Sequence, residues 1–188
     1  MLLPGDLEDP AVPAEVVNNA ARQLGGLDAL VISHTEPVDS GILDTTVESF
    51  DRHNAVNVRA SWLLIAAFAR QLPATGGSVV ALTSDHAVGN LPDGATKAGL
   101  DRLVLASAHE LADAGVRANI INPGPIDTGR MTDQIRASTI AQQPTGRLGT
   151  PNDTANLVRF VLSKSKASGL TDNSLYSNGG YPTGRLPV

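Results

Sequence analysis

Residues 84–97 read Ser-Asp-His-Ala-Val-Gly-Asn-Leu-Pro-Asp-Gly-Ala-Thr-Lys, and their reading decides the fold. Upstream, Val79 to Leu82 is a short apolar run between Gly76-Gly77 and Thr83-Ser84, the pattern of a buried strand. Downstream, a long helical pattern starts near Gly94. A loop that leaves the C-terminal end of a strand and enters a helix is where open α/β sheets hold their ligands. Asp93 and Lys97 are one helical turn apart and share a face. Ser84, at the strand end, points to the same region.

Outward from this stretch the chain alternates. Residues 1–3 read as a short strand stopped by Pro4-Gly5. Val16, Val17, Ala20, Ala21 and Leu24 mark a helix capped by Gly25-Gly26. Leu27 to Ile32 is a strand. Thr45 and Glu48 have the spacing of a capping box, and a helix is expected from there to about Leu72, ended by Pro73. A second long helix is expected over 94–114, a strand over 116–121 and a helix opened by Pro151. A short strand is expected over 174–177. Residues 129–148 carry few periodic signals and read as a mobile lid. Strands alternating with helices predict an α/β fold with a parallel sheet and crossover helices.

Composition narrows the function. The chain has 188 residues and is 41% hydrophobic, enough for one domain with a real core. A net charge of −5 gives no basic field for nucleic acid. No apolar run reaches the ~18 residues of a membrane span, and Met-Leu-Leu-Pro-Gly-Asp lacks the basic and apolar regions of a signal peptide. Cysteine is absent, which excludes a disulfide framework and thiolate chemistry. A reducing cytoplasm is the expected location. His34, Asp85 and His86 are zinc-ligand types, but their spacing is not diagnostic and no metal site is expected.

The motif order resembles the short-chain dehydrogenase/reductase family. In that family a Ser at the end of this strand precedes Tyr-x-x-x-Lys on the next helix; Ser84 and Lys97 match, and Asp93 stands at the Tyr position. Asp6-Leu7, Asn57 of the long helix, Asn122-Pro-Gly-Pro-Ile-Asp-Thr128, Arg147-Leu-Gly-Thr-Pro151 and Asn178-Gly-Gly180 match further family segments. The resemblance implies a three-layer Rossmann-like sandwich, residues 1–188 forming a single truncated domain that lacks the first βαβ unit. It also implies a homodimer or tetramer through the 45–72 and 94–114 helices. The missing strands leave 27–32 at an edge, which Met1 to Pro4 or a second copy is expected to cover.

Three departures shape the functional expectation. The family's Gly-rich turn, which holds a pyrophosphate at a helix N-terminus, does not occur in the chain. The family's Asn-Asn-Ala-Gly stretch reads Ile32-Ser33-His34-Thr35. The family's proton-donating Tyr is Asp93, and a free aspartate, with a pKa of ~3.9, is an acceptor near neutral pH. The expectation is therefore a cofactor-independent enzyme on this scaffold, with no nucleotide site, doing isomerisation, dehydration or cyclisation on a carbonyl-containing small molecule. Asp93 is its base, Lys97 steadies oxyanion charge and Ser84 positions the substrate. Asn57, His34 and His86 are further site candidates. Each has a plain alternative: Asn57 as a helix-bending structural residue, the histidines as ordinary loop residues, and Asp93–Lys97 as a surface ion pair. A non-catalytic scaffold subunit and an NADP- or NAD-dependent oxidoreductase are the competing functions.

Overall fold

The computed structural model describes residues 1–84, 89–129 and 131–182. Its elements in chain order are α1 (Val12–Leu24), β1 (Ala29–Ile32), α2 (Val47–His53), a π-helical turn (Asn54–Arg59), α3 (Ala60–Arg70), β2 (Gly77–Leu82), α4 (Leu91–Glu110), a 3-10 turn (Ala112–Ala114), β3 (Val116–Asn122), α5 (Asp133–Ala141), α6 (Pro151–Leu162) and β4 (Asn173–Tyr176). The strands form one four-stranded sheet in the order β1-β2-β3-β4, every pair parallel.

The side-chain period of two assigns the layers. Val79 and Ala81 of β2 and Ala118 and Ile120 of β3 pack with Val17 of α1, Leu64 and Phe68 of α3, and Leu100 and Val104 of α4. The alternate residues Val80 and Ile121 pack on the opposite face with Val161 of α6. The sandwich is thus three layers deep, with β2 and β3 buried on both faces; β2 shows this as the apolar run Val79–Leu82, while β3 carries Arg117 and Asn119 among its apolar residues. Each such buried Val or Ile contributes about 1.5–3 kcal/mol.

Gly76 sets the spacing where β2 begins: its φ is +71°, and a Cβ there would overlap the Gly115 carbonyl oxygen. No larger residue lets β2 and β3 start side by side.

Four expectations need correction. Met1 to Pro4 form no strand and do not cover the sheet edge; β1 pairs with β2 alone among the described strands. The reason lies in the next residues. Gly5 sits against Val12 and Val16 of α1, and Glu8 is held by Arg52 and Arg59 of the long helix, so this segment is drawn away from β1. The capping residue of α2 is Thr46, which accepts from Ser49 N; Thr45 bonds instead to Ser40 and the Gly41 carbonyl. The long helix runs Val47–Arg70 but is not regular: the π-turn bulges its middle. The stretch expected as a lid holds α5, whose N-cap Thr132 accepts from Ile135 N.

No helix among the described residues is long and apolar enough to cross a membrane.

Candidate functional site

The π-turn is the element that builds the site. An extra residue in a helical turn bulges the chain and re-aims the side chains beside it. Here it turns Asn57, fully buried, across to α4. The Asn57 amide nitrogen donates to Thr96 Oγ1 at 2.9 Å and, at 3.5 Å, to Asp93 Oδ1. Its amide oxygen accepts from the Glu36 backbone N–H at 2.9 Å. One side chain therefore locks three elements: the loop after β1, the π-turn and the start of α4.

Asp93 and Lys97 are not a surface ion pair. Asp93 is 8% exposed and Lys97 6%. The Lys97 ammonium donates to the backbone carbonyls of His34 (3.2 Å) and Leu82 (3.3 Å), at the C-terminal ends of β1 and β2. Burial pushes the Lys97 ammonium below its ordinary pKa, and the Asp93 and Asp101 carboxylates offset part of that shift. The four-residue spacing does bring both residues to one face, but that face is turned into the fold.

Asp93 has a partner that sequence reasoning missed. Thr35, an exposed residue, donates its hydroxyl to Asp93 Oδ1 at 2.7 Å. In the sequence it stands out only as a departure from a glycine position. The signal available was a hydroxyl placed where a strand end faces the start of α4.

His34 is braced rather than free. Its Nε2 lies 2.9 Å from the Val56 carbonyl, which only accepts, so Nε2 carries the proton. The same N–H reaches Ser61 Oγ at 3.3 Å, whose own hydroxyl donates to the Asn57 carbonyl. Burial lowers the His34 pKa from 6.5; the Val56 bond opposes this and Lys97 adds to it. Ser84 comes two residues after β2, next to the strand end that Lys97 binds, and is half-buried. His86, with Asp85, lies outside the described residues. Among the described residues no cluster of three His, Asp or Glu could hold a metal ion.

The remaining wall is the segment after β3. Asn122 Oδ1 accepts from Gly124 N at 2.9 Å, folding the Asn-Pro-Gly turn on itself. Gly124 has φ +65°, and a Cβ there would strike Asn178. The turn is thereby pressed against the segment after β4, at the same end of the sheet as Lys97.

The chain has counterparts among known proteins. Residues 1–182 match the family model described as Enoyl-(Acyl carrier protein) reductase. The uncharacterized oxidoreductase YjdA of Bacillus subtilis (strain 168) is 31% identical over 186 residues, 95% of this chain and 74% of that protein. The short-chain dehydrogenase/reductase eriH of Hericium erinaceus is 32% identical over 190 residues, 96% of this chain and 75% of that protein. A short chain dehydrogenase from Burkholderia cenocepacia J2315, solved in complex with NADP, superposes with a TM-score of 0.87 at 27% identity, over 95% of this chain and 75% of that one.

These likenesses overturn the expectation of a cofactor-independent isomerase, dehydratase or cyclase with no nucleotide site. The relatives are named as oxidoreductases, and the solved neighbour holds NADP. The expectation leaned on a Gly-rich turn missing from a chain that spans about three-quarters of its relatives' length. That absence does not bear on the reaction.

Proposed function

The chain belongs to the short-chain dehydrogenase/reductase family, and from that premise we propose that it is an NAD(P)-linked oxidoreductase acting on a small alcohol and its carbonyl product. One observation carries the reading: the buried Lys97 ammonium is pinned at the C-terminal ends of β1 and β2, where open α/β sheets bind their ligands.

The residues present fit the nicotinamide end of such a cofactor. Lys97 lies at the strand ends, and the Asn122–Gly124 turn forms a wall too close to Asn178 to admit a Cβ. Lys97 and residues 122–128 would hold the nicotinamide end. The residues that hold a pyrophosphate in the family's Gly-rich turn have no counterpart in these 188 residues. When bound, the nicotinamide accepts or returns a hydride.

The chain's own part is to hold the substrate oxygen and move its proton. Asp93 occupies the position of the family's phenol, and its Oδ1 receives two donors. That arrangement suits a proton acceptor in alcohol oxidation, and the carboxyl so protonated would be the donor in the reverse reduction. Ser84 would position the substrate oxygen. The absence of cysteine accords with a cytoplasmic setting.

The test is an absorbance assay at the reduced-nicotinamide band with NAD+ and NADP+ against a panel of secondary alcohols, run beside Lys97→Met. Turnover in the wild type and loss of at least about 100-fold in the variant is expected. Equal turnover in both would remove Lys97 from the site.

A further inference from the structure

Asp93 is buried, yet the hydroxyl bonded to it belongs to an exposed residue. Of the two residues, Thr35 is the one that reaches the surface. We propose that Thr35 and Asp93 form a proton-accepting dyad in which Thr35 is the catalytic residue that touches the substrate hydroxyl and Asp93, behind it, takes up the proton. The proposal rests on the oxidoreductase reading.

Three features support it. The Thr35 Oγ–Asp93 Oδ1 distance is 2.7 Å, short enough for proton transfer along the bond. Asn57 donates to the same oxygen, so Oδ1 is fixed as an acceptor facing Thr35. Thr35 is held by its neighbours on both sides: His34 is bonded to Val56 and gives its carbonyl to Lys97, and the Glu36 N–H bonds to Asn57. The hydroxyl is therefore on a fixed stretch of backbone.

The step balances as one proton and one hydride. The substrate O–H bond breaks and its proton joins Thr35 Oγ, while the proton Thr35 carried passes to Asp93 Oδ1. The electron pair of the O–H bond becomes the second bond of the carbonyl. The electron pair of the carbinol C–H bond leaves as hydride to the oxidised nicotinamide. Asp93 then returns its proton to water through Thr35, which is exposed. The charged and titratable groups around the pair are Lys97 on α4, His34 before Thr35, and Glu36, which is paired with Arg52.

Asp93→Asn separates bonding from proton acceptance, because an asparagine oxygen still accepts from Thr35 but takes no proton. Thr35→Val, Thr35→Ser and Asp93→Asn are compared for kcat with butan-2-ol and cyclohexanol, and for NADP+ and NAD+ affinity by calorimetry. Thr35→Val and Asp93→Asn should each lower kcat at least about 100-fold, the double variant should fall no further than either, Thr35→Ser should recover activity, and nucleotide affinity should hold in all. In the protein without nucleotide, the Thr35 side-chain carbon shifts should track acid titration of Asp93, and that response should vanish in Asp93→Asn. A Thr35→Val enzyme with wild-type kcat and unchanged nucleotide affinity overturns the dyad alone, as do Thr35 shifts indifferent to the titration. A wild type that binds neither nucleotide overturns the oxidoreductase reading, and the dyad's role with it.

Discussion

The His34 imidazole donates to the Val56 carbonyl at 2.9 Å, tying the end of β1 to the π-turn that aims Asn57. Removing that brace with His34→Ala should cost about 1–3 kcal/mol at pH 8. Because burial lowers the His34 pKa below 6.5, the folded protein resists protonation more than the unfolded chain. The neutral imidazole's contribution is complete above pH 6.5 and is lost as pH falls below it. Urea midpoints measured from pH 8 to pH 5 should show the gap between wild type and variant narrowing on acidification. A constant gap would mean that His34 titrates alike in both states.

Asn57 is the single side chain on which the site's alignment depends. Asn57→Ala leaves the Glu36 N–H without its partner, removes the donor to Thr96 Oγ1 and opens a cavity. A loss of about 2–4 kcal/mol is expected, with faster amide exchange through Asn54–Arg59. Exchange unchanged in that turn would show that the bulge does not depend on the amide.

Arg117, on β3, is a clamp with no role in the chemistry. Its guanidinium donates to the carbonyls of Val161, Ala167 and Leu170 at 2.9–3.0 Å, stitching the end of α6 and the loop after it to the sheet. Arg117→Met should lose at least about 2 kcal/mol, and Arg117→Lys should recover only part, since a single ammonium cannot also replace the Nη2 bond to the Leu162 carbonyl. Nucleotide affinity should be unaltered in both. A melting temperature equal to wild type would refute the clamp.

Self-association through the 45–72 and 94–114 helices is the proposed quaternary arrangement. Trp62 lies outward on α3 and is 53% exposed in the single chain. Light scattering should give two or four times the 19.5 kDa of one chain, and Trp62→Glu should reduce it. A single-chain mass at micromolar concentration would rule out that assembly.

The layers were legible in the sequence because strand and helix patterns alternate and β2, buried on both faces, leaves an apolar run after Gly76-Gly77. Asp93, Lys97 and Asn57 were legible as a group, through helical spacing and resemblance. What escaped was tertiary in origin. A bulged turn costs one residue of register and leaves no period to read, so 45–72 looked like one regular helix. Burial of Asp93 and Lys97 comes from the loop after β1, distant in the chain but adjacent in the fold, and an i, i+4 pair carries no mark of it. Thr35 was visible only as a mismatch, because its value lies in a bond to a residue fifty-eight positions away. The path of residues 1–9 was decided by Arg52 and Arg59, not by strand propensity.

Every step of the proposed chemistry requires a nicotinamide nucleotide at the C-terminal ends of β1, β2 and β3. Isothermal calorimetry with NADPH and NADH, on wild type and on Lys97→Met, decides whether one binds there. Saturable one-to-one binding of at least one nucleotide is expected, with a Kd in the range of roughly 1 μM to 1 mM usual for metabolic ligands, weakened by at least about tenfold in the variant. No heat of binding from either nucleotide at millimolar concentration, with the wild type folded, would refute the nucleotide site and the redox function built on it.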